Sequence, residues 1–298
     1  MPGRIRIGTC SWTDPSLIRA GTFYPQEART AEARLSWYAS QFDIVEVDSS
    51  YYAMPSRRNA TLWTERTPED FVFDVKAFRL FTGHPTQPGA LPSDIRGALP
   101  ESVTRKKSLY YRDVPTEPMR HLWSRFEDAL LPLDSAGKLG VVLLQFPPWF
   151  QPGVAQMDHM AACAENLSPH HVAVEFRNNR WLSEQNRAST LSFLRQHRMS
   201  FVCVDEPQGY PSSVPPLAEV TADIAVVRFH GRKSEVWEAK NASPTDRFDY
   251  YYDEEELRPW VDRIRDCAGG VSEVHVLFNT NNGDQGVANA RLMGRMLL

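Results

Sequence analysis

The sequence predicts an α/β protein, a single TIM-like (β/α)8 barrel with long strand-to-helix loops at its C-terminal face. Three observations predict this fold class. Eight short apolar runs recur along the 298 residues, amphipathic helical patterns lie between them, and several connections after a strand are long. Because the sequence contains no linker or internal repeat, residues 1–298 are predicted as one domain. A doubly wound open sheet is the alternative fold.

The predicted strands are rich in β-branched residues and nearly continuous in hydrophobicity. This pattern is typical of a parallel sheet in which both faces are buried. The predicted strands cover residues 4–10, 44–47, 71–75, 140–146, 172–176, 201–204, 224–229 and 274–278. Their number matches the eight strands that close a TIM-like barrel.

Apolar residues spaced three and four apart predict the intervening helices. The clearest patterns lie at residues 119–130 and 257–264, and the second follows Asp253-x-x-Glu256, the pattern of a capping box. Further helices are predicted at 35–42, after Pro55, after Ser183 and over 289–298. Four prolines between Asp205 and Asp223 leave little room for a full helix there.

Three predicted strand-to-helix connections are long, at residues 13–30, 77–118 and 231–252. In a (β/α)8 barrel all such connections emerge at the C-terminal face, where active sites lie. Loops of this length inside a compact domain usually carry function. The sequence therefore predicts that these three loops surround the active site.

The composition excludes several classes of protein. Hydrophobic residues make up 42 % and charged residues 23 %, which is ordinary for a globular protein. The net charge of −4 argues against bulk nucleic acid or an anionic membrane as the main partner. The four cysteines form no CxxC pair, and the chain has neither a signal-peptide core nor an apolar stretch long enough to span a membrane. A reduced, cytoplasmic protein is predicted.

Polar and charged residues cluster where the predicted strands end. Residues of equal parity share one face of a strand, and the carboxyl ends of barrel strands meet at one mouth. The polar residues at these ends are Glu46, Asp48, Asp74, Lys76, Gln145, Glu175, Arg177, Asp205, Arg228, His230 and Asn279. Such clustering is what a catalytic barrel mouth requires.

The mouth residues predict general acid–base chemistry on an anionic substrate. A carboxylate beside a histidine exchanges protons near neutral pH, and the arginine fork binds planar anions in a bidentate way. The predicted catalytic residues are Glu46, Glu175, Asp205 and His230. The predicted substrate-binding residues are Lys76, Arg177, Arg228, Asn279, His84, Trp12 and Tyr52. The alternative is that the carboxylates pair with the arginines in a purely structural network.

The mouth carboxylates and His230 also suit a divalent metal ion. Lys76, Arg177 and Arg228 would repel that cation, so no bound metal is predicted. No cofactor is predicted either. The sequence contains no GxGxxG, GxxxxGK[ST], HExxH or GxSxG motif, which argues against a nucleotide-hydrolysing protein, a classical dinucleotide-binding protein and a serine hydrolase.

Motifs in order along nearly the whole chain resemble those of the YecE-like family, also called domain of unknown function 72. The motifs are Gly8-Thr9-Cys10-Ser11-Trp12, Phe23-Tyr24-Pro25, Glu46 followed by Tyr51-Tyr52, Trp63, Thr67-Pro68, Lys76, Thr82-x-His84, Gln145-Phe146-Pro147-Pro148, Glu175-Phe176-Arg177, Trp181, Asp205, Arg228-x-His230-Gly231, Phe278-Asn279 and Asn289-Ala290. The resemblance implies a TIM-like barrel. It implies no activity.

The leading hypothesis is an enzyme that acts by acid–base chemistry on a small polar anion, with a carbohydrate or sugar phosphate as one such substrate. A different hypothesis is a nucleic-acid-binding or processing protein that uses the basic turn Arg105-Lys106-Lys107 and the mouth aromatics. The net charge does not favour it. A third hypothesis is a barrel that binds a small molecule without turnover. The sequence makes no prediction of oligomeric state.

Overall fold

A computed structural model describes residues 2–239 and 241–298. Its strands are β1 Arg4–Thr9, β2 Ile44–Val47, β3 Val72–Lys76, β4 Leu139–Gln145, β5 His171–Glu175, β6 Met199–Asp205, β7 Ile224–Phe229 and β8 Glu273–Phe278. Within the described residues these parallel strands pair in chain order, and β8 pairs with β1 to close the barrel. The predicted fold class is confirmed, and each strand bound lies within about two residues of its prediction.

Helices follow the strands along the chain. They are α1 Pro15–Ala20, α2 Ala31–Ala39, α3 Ser49–Tyr52, α4 Arg57–Glu65, α5 Ser93–Gly97, α6 Glu101–Thr104, α7 Thr116–Ser135, α8 Val154–Asn166, α9 Arg187–Gln196, α10 Pro244–Arg247, α11 Glu254–Ala268 and α12 Gln285–Leu297. Across residues 2–239 and 241–298, no helix offers the apolar length that a bilayer crossing needs.

The predicted helices agree with the observed ones at the capping box and between residues 206 and 223, and they differ at α12 and α8. The capping box at Asp253 is confirmed, since Asp253 and Glu256 cap each other. Helix α12 begins at Gln285, one turn before the predicted start at residue 289. Helix α8 is not predicted from the sequence, because the residues that α8 buries, Met160 and Cys163, make no leucine-rich stripe. Residues 206–223, all described, contain no helix, as their prolines predict.

The longest connection, residues 77–115, is packed against the barrel. Phe78 and Phe81 are fully buried, and the Phe81 ring stacks on Trp123 of α7 with ring centroids 3.6 Å apart. Thr86 and Leu109 form an antiparallel bridge with N–O distances of 2.8 and 2.7 Å. These contacts give one side of the mouth a fixed wall.

The strand register shows which side chains point into the barrel. Glu46 pairs with Asp74, Gln145 pairs with Glu175, and Val204 pairs with Arg228. Because side chains alternate along each strand, these positions and those two residues away line the interior. The interior is therefore unusually polar for a packed barrel core.

A buried ionic network crosses the seam between β1 and β8. Arg6 binds Glu273 through Nε and Nη2, at 2.7 and 2.9 Å. His275 lies between two carboxylates, with Nε2 3.0 Å from Glu273 Oε2 and Nδ1 3.0 Å from Asp74 Oδ1. The Asp74 carboxylate also accepts from the Val141 backbone N–H at 2.8 Å. The network thus ties four strands together.

This network makes stability depend on pH. Burial alone would lower the pKa of His275, but Asp74 and Glu273 raise it to about 9. The unfolded histidine titrates near its ordinary 6.5, so the stabilisation is fully present below pH 6.5 and is lost as the pH rises through 9. It amounts to roughly 3 kcal/mol. We expect the free energy of unfolding of the wild type to fall towards that of His275→Gln between pH 6.5 and 9.5.

Urea titration of both proteins at each pH measures this difference, and other titrating groups cancel in the comparison. If the difference in free energy of unfolding between wild type and His275→Gln stays constant from pH 6.5 to 9.5, His275 is not charged in the folded protein.

Candidate functional site

The centre of the barrel mouth is Arg228, on β7, whose side chain has no exposed surface. Its Nη2 binds Glu46 Oε1 at 2.7 Å, and its Nη1 forms an ion pair with Glu175 Oε2. Its Nη2 also lies 3.5 Å from Cys10 Sγ. Burial alone would lower the pKa of Arg228, but Glu175 and Glu46 hold it well above its usual range. Arg228 is therefore a buried cation shared by two carboxylates.

Glu175, on β5, lies between two guanidinium groups. Besides Arg228, its Oε1 is 2.6 Å from Arg177 Nη2. Burial alone would raise the pKa of Glu175, but Arg177 and Arg228 hold it well below the usual range. Glu175 is thus ionised at neutral pH and fixes both arginines in place.

Glu46, on β2, differs from Glu175 because only one of its oxygens is paired. Its Oε1 accepts from Arg228, while its buried Oε2 has no hydrogen-bond partner among the described residues. Burial raises the pKa of Glu46 to about 7. A carboxyl group with this pKa can give or take a proton at neutral pH.

His230 lies just beyond the end of β7 and is fully buried. Its Nε2 is 2.9 Å from Arg177 Nη2 and 3.3 Å from Glu175 Oε1. Its Nδ1 is 3.1 Å from the side-chain nitrogen of Asn279. Burial, together with Arg177, lowers the pKa of His230 to about 3, so the imidazole is neutral.

Glu206 belongs to the site although it is not among the residues predicted from the sequence. Its Oε2 is 2.8 Å from Arg177 Nη1, and its Oε1 accepts from the Val214 backbone N–H at 2.8 Å. Burial raises the pKa of Glu206 to about 8. The strand register shows that position 206 faces the interior. Val204 pairs with the inward-facing Arg228, and Glu206 has the same parity as Val204.

Asp205 faces the surrounding helices instead of the mouth. Arg232 binds both of its oxygens, at 2.8 and 2.7 Å. Tyr252 and Trp260 donate to the same carboxylate, each at 2.7 Å. With four donors satisfied, Asp205 fixes α11 and the loop after β7 to the barrel, and the structure does not bring it together with Glu46, Glu175 and His230.

Lys76 reaches the mouth from β3. Its Nζ is 2.7 Å from Asp48 Oδ1 and 4.6 Å from the centroid of the Tyr51 ring. Burial alone would lower the pKa of Lys76, but Asp48 keeps it above its usual value. Lys76 is therefore a charged, largely buried lysine at the edge of the network.

The three remaining predicted binding residues, His84, Tyr52 and Trp12, have different surroundings. His84 meets the Tyr51 ring edge-on at 5.3 Å, and burial lowers its pKa to about 3. Tyr52 is 53 % exposed at the rim. Trp12 is buried against Trp63, with ring centroids 5.6 Å apart, so it belongs to the packed core.

A cavity of about 460 Å³ opens next to the charged network. Its lining residues are Gln145, Pro148, Arg177, Ser212, Trp237, Glu238, Arg247 and Phe248. We call it the arginine cavity. The Arg177 guanidinium lies 5.6 Å from the centroid of the Trp237 ring. Arg177 therefore links the cavity to Glu175, Glu206 and His230 beneath it.

Three residues that line the arginine cavity each have a buried side-chain donor without a partner. Arg177 Nε, Arg247 Nε and Trp237 Nε1 are buried and make no hydrogen bond within the described residues. Within the same part of the chain, no group of three or more His, Cys, Asp or Glu side chains is arranged to hold a metal ion. The lining is suited to a ligand that accepts hydrogen bonds.

Comparisons with known proteins agree with the fold. A family model described as a protein of unknown function, DUF72, matches residues 6–298. The UPF0759 protein YunF of Bacillus subtilis (strain 168) is 31 % identical over 297 residues, which is 98 % of this chain and 94 % of that protein.

Two solved structures of DUF72 family proteins are also similar. The one from Enterococcus faecalis V583 is 25 % identical with a TM-score of 0.80, and the match covers 98 % of this chain and 95 % of the other. The one from Thermotoga maritima MSB8 is 29 % identical with a TM-score of 0.75, and the match covers 99 % of each chain.

Proposed function

Since the chain belongs to the DUF72 family, a family of unknown function, we propose from its site that the protein is an enzyme that transfers protons to or from a small anionic substrate. The substrate binds in the arginine cavity. Arg177 and Arg247 hold its anionic group, and Gln145 orients it. Glu46 and Glu206 are the groups that exchange protons near neutral pH.

The observation that carries the proposal is the set of unpartnered donors on residues that line one cavity. A buried N–H group without a partner costs about 1–3 kcal/mol. Three such groups belong to Arg177, Arg247 and Trp237, and these three residues line the same cavity. The positive charge of the two arginines would attract a carboxylate, sulfate or phosphate into the cavity, and a small shift of these side chains would let its oxygens accept from the buried donors.

The carboxyl groups beneath the cavity supply the proton chemistry. Arg177 contacts Glu206 at 2.8 Å and Glu175 at 2.6 Å, so a ligand on Arg177 lies one side chain away from both. Acid–base catalysis is most efficient when the pKa of the group lies near the working pH. Glu206 meets this condition with a pKa of about 8. Glu46, which is joined to Arg177 through Arg228 and Glu175, meets it with a pKa of about 7. Glu175 stays ionised and holds the arginines.

The nucleic-acid hypothesis loses its main support at the basic turn. Arg105 pairs with Glu101, and Lys106 binds Asp113 at 2.7 Å. Both acidic partners come from neighbouring residues, which reduces the positive potential of this surface. We therefore do not propose nucleic acid as the substrate.

Anion binding is expected to depend on the protonation of Glu46 and Glu206. When both are protonated, the cations Lys76, Arg177 and Arg228 face the ionised Glu175 and the Asp48 carboxylate. When both are ionised, two more negative charges oppose the ligand. We expect the affinity for sulfate, whose charge is constant over this range, to fall about tenfold between pH 6 and pH 9.

Isothermal titration in two buffers of different ionisation enthalpy measures this coupling as proton uptake near pH 7.5. The double variant Glu46→Gln/Glu206→Gln should give a nearly flat pH profile. A wild-type affinity that does not change with pH would show that these carboxyl groups do not sense the ligand.

Turnover is tested by incubating the protein with a cell-extract metabolite mixture and following each compound by mass spectrometry. The Glu206→Gln and Glu46→Gln variants should each lose about a hundredfold or more of any turnover found. The exposed Glu184→Gln is the matched control and should keep it. Sulfate binding without turnover of any metabolite would favour the non-catalytic binding barrel.

A further inference from the structure

A second cavity, of about 660 Å³, lies on the other side of the loop after β4. We call it the aromatic cavity. Its lining includes Tyr110, Tyr111, Arg112, Trp149, Gln156 and His159. Pro148 lines the arginine cavity and its neighbour Trp149 lines the aromatic cavity. The wall between the two cavities is therefore a single loop.

This loop holds Trp149 in place while leaving more than half of the residue exposed, and the His84 ring meets the Trp149 ring edge-on at 5.9 Å. Asn178 donates to the Pro148 carbonyl at 2.6 Å, and Trp181 donates to the Phe150 carbonyl at 2.7 Å. The Phe150 ring stacks on Phe146 with centroids 4.1 Å apart. Trp149 between them is nevertheless 56 % exposed. A large aromatic ring that is rigidly presented to a cavity is a platform for a flat ligand face.

Hydrogen-bond donors and acceptors line the same cavity as Trp149. His159 Nε2 lies 2.8 Å from the Phe81 carbonyl, so it carries the proton, and burial lowers the pKa of this histidine and keeps it neutral. The other ring nitrogen, Nδ1, is then an acceptor. Arg112 supplies donors, and the Gln156 amide supplies both a donor and an acceptor. This mixture matches a ring that carries several hydroxyl groups, each of which donates and accepts.

We propose that the aromatic cavity binds a sugar ring, and that the substrate is an acidic oligosaccharide whose anionic unit lies in the arginine cavity. The proposal rests on the proposed function, because the anionic unit is placed on Arg177. The adjacent sugar unit stacks on Trp149 at the wall between the cavities, and Tyr110, 38 % exposed, lies along the same cavity. The aromatic cavity then makes the protein prefer an oligosaccharide to a single sugar unit.

The test compares galacturonate and glucuronate with their di- and trisaccharides by isothermal titration. We expect at least one oligomer to bind tenfold or more tightly than its monomer. Trp149→Ala should remove that gain, Trp149→Phe should restore part of it, and the affinity for sulfate should change less than twofold in both variants. The matched control is Tyr251→Ala, which removes another aromatic residue with 58 % of its surface exposed.

The outcomes separate the two proposals. If sulfate binds and Arg177→Gln abolishes that binding, but no oligomer binds more tightly than its monomer, the sugar subsite is wrong and the proposed function stands. If sulfate itself does not bind, the proposed function fails. A further outcome is that the affinity for adenosine monophosphate depends on Trp149 while the affinity for every oligosaccharide does not. That result would show that the Trp149 ring binds a nucleic-acid base and would overturn the sugar assignment.

Discussion

Replacing Arg228 by methionine should lower the free energy of unfolding by about 3–5 kcal/mol. Arg228 has no exposed surface, and it pairs with Glu46 and Glu175, which are equally buried. Its removal leaves buried Glu46 without its hydrogen-bonded partner and buried Glu175 with Arg177 alone, and an unpaired buried charge is costly. Urea denaturation at pH 7.5, above the pKa of about 7 of Glu46, measures the loss.

The control removes the charges on both sides. In Arg228→Met/Glu46→Gln/Glu175→Gln no carboxylate is left behind, so this variant should recover at least half of the lost stability. A single Arg228→Met variant as stable as the wild type would mean that the network contributes nothing to the fold. The expected result makes Arg228 the structural centre of the site and leaves anion binding to Arg177 and Arg247.

Replacing Arg177 by glutamine should weaken sulfate binding about ten- to hundredfold, because a charge-assisted hydrogen bond is worth roughly 1.5–3 kcal/mol. Arg177 joins the arginine cavity to Glu175 and Glu206. Arg177→Lys should recover only part of the affinity, since lysine lacks the planar fork. Titration of sulfate at pH 6 measures all three proteins.

The matched control for this experiment is Arg232→Gln. Arg232 also pairs with a carboxylate, but its partner Asp205 faces the helices and not the cavity. We expect Arg232→Gln to lower the melting temperature and leave the sulfate affinity within about twofold. If Arg177→Gln and Arg232→Gln both lower the stability and neither lowers the sulfate affinity, the arginines form a purely structural network with the carboxylates. This is the alternative that the sequence leaves open.

The predicted barrel follows from strong local signals. Runs of β-branched residues predict the eight strands, and polar residues at their carboxyl ends predict Glu46, Lys76, Glu175 and His230 at one mouth. The structure brings Glu46, Glu175 and His230 into one network around Arg228 and Arg177. Parity within a strand was sufficient for these positions, because each strand has one interior face.

Parity alone failed at the end of β6, where Asp205 and Glu206 are consecutive acids. The sequence indicates that one of them faces the interior, but only the register with β7 identifies Glu206.

The wall of the arginine cavity is a second feature that the sequence does not predict. Trp237 and Arg247 belong to the loop after β7, and their position next to Arg177 depends on how that loop packs. No periodicity in the sequence encodes such a contact.

The seam between β1 and β8 also affects how the chain behaves before the barrel closes. Arg6 and its partner Glu273 are 267 positions apart, so this pairing requires a slow, long-range closure. Until it forms, both strands are open sheet edges that could pair with other molecules. If two β1 edges pair in parallel register, Arg4 and Arg6 lie opposite the same residues of another copy. Like charges that lie directly opposite each other repel. The charges that lock the finished barrel therefore also hinder aggregation of half-folded chains through their β1 edges.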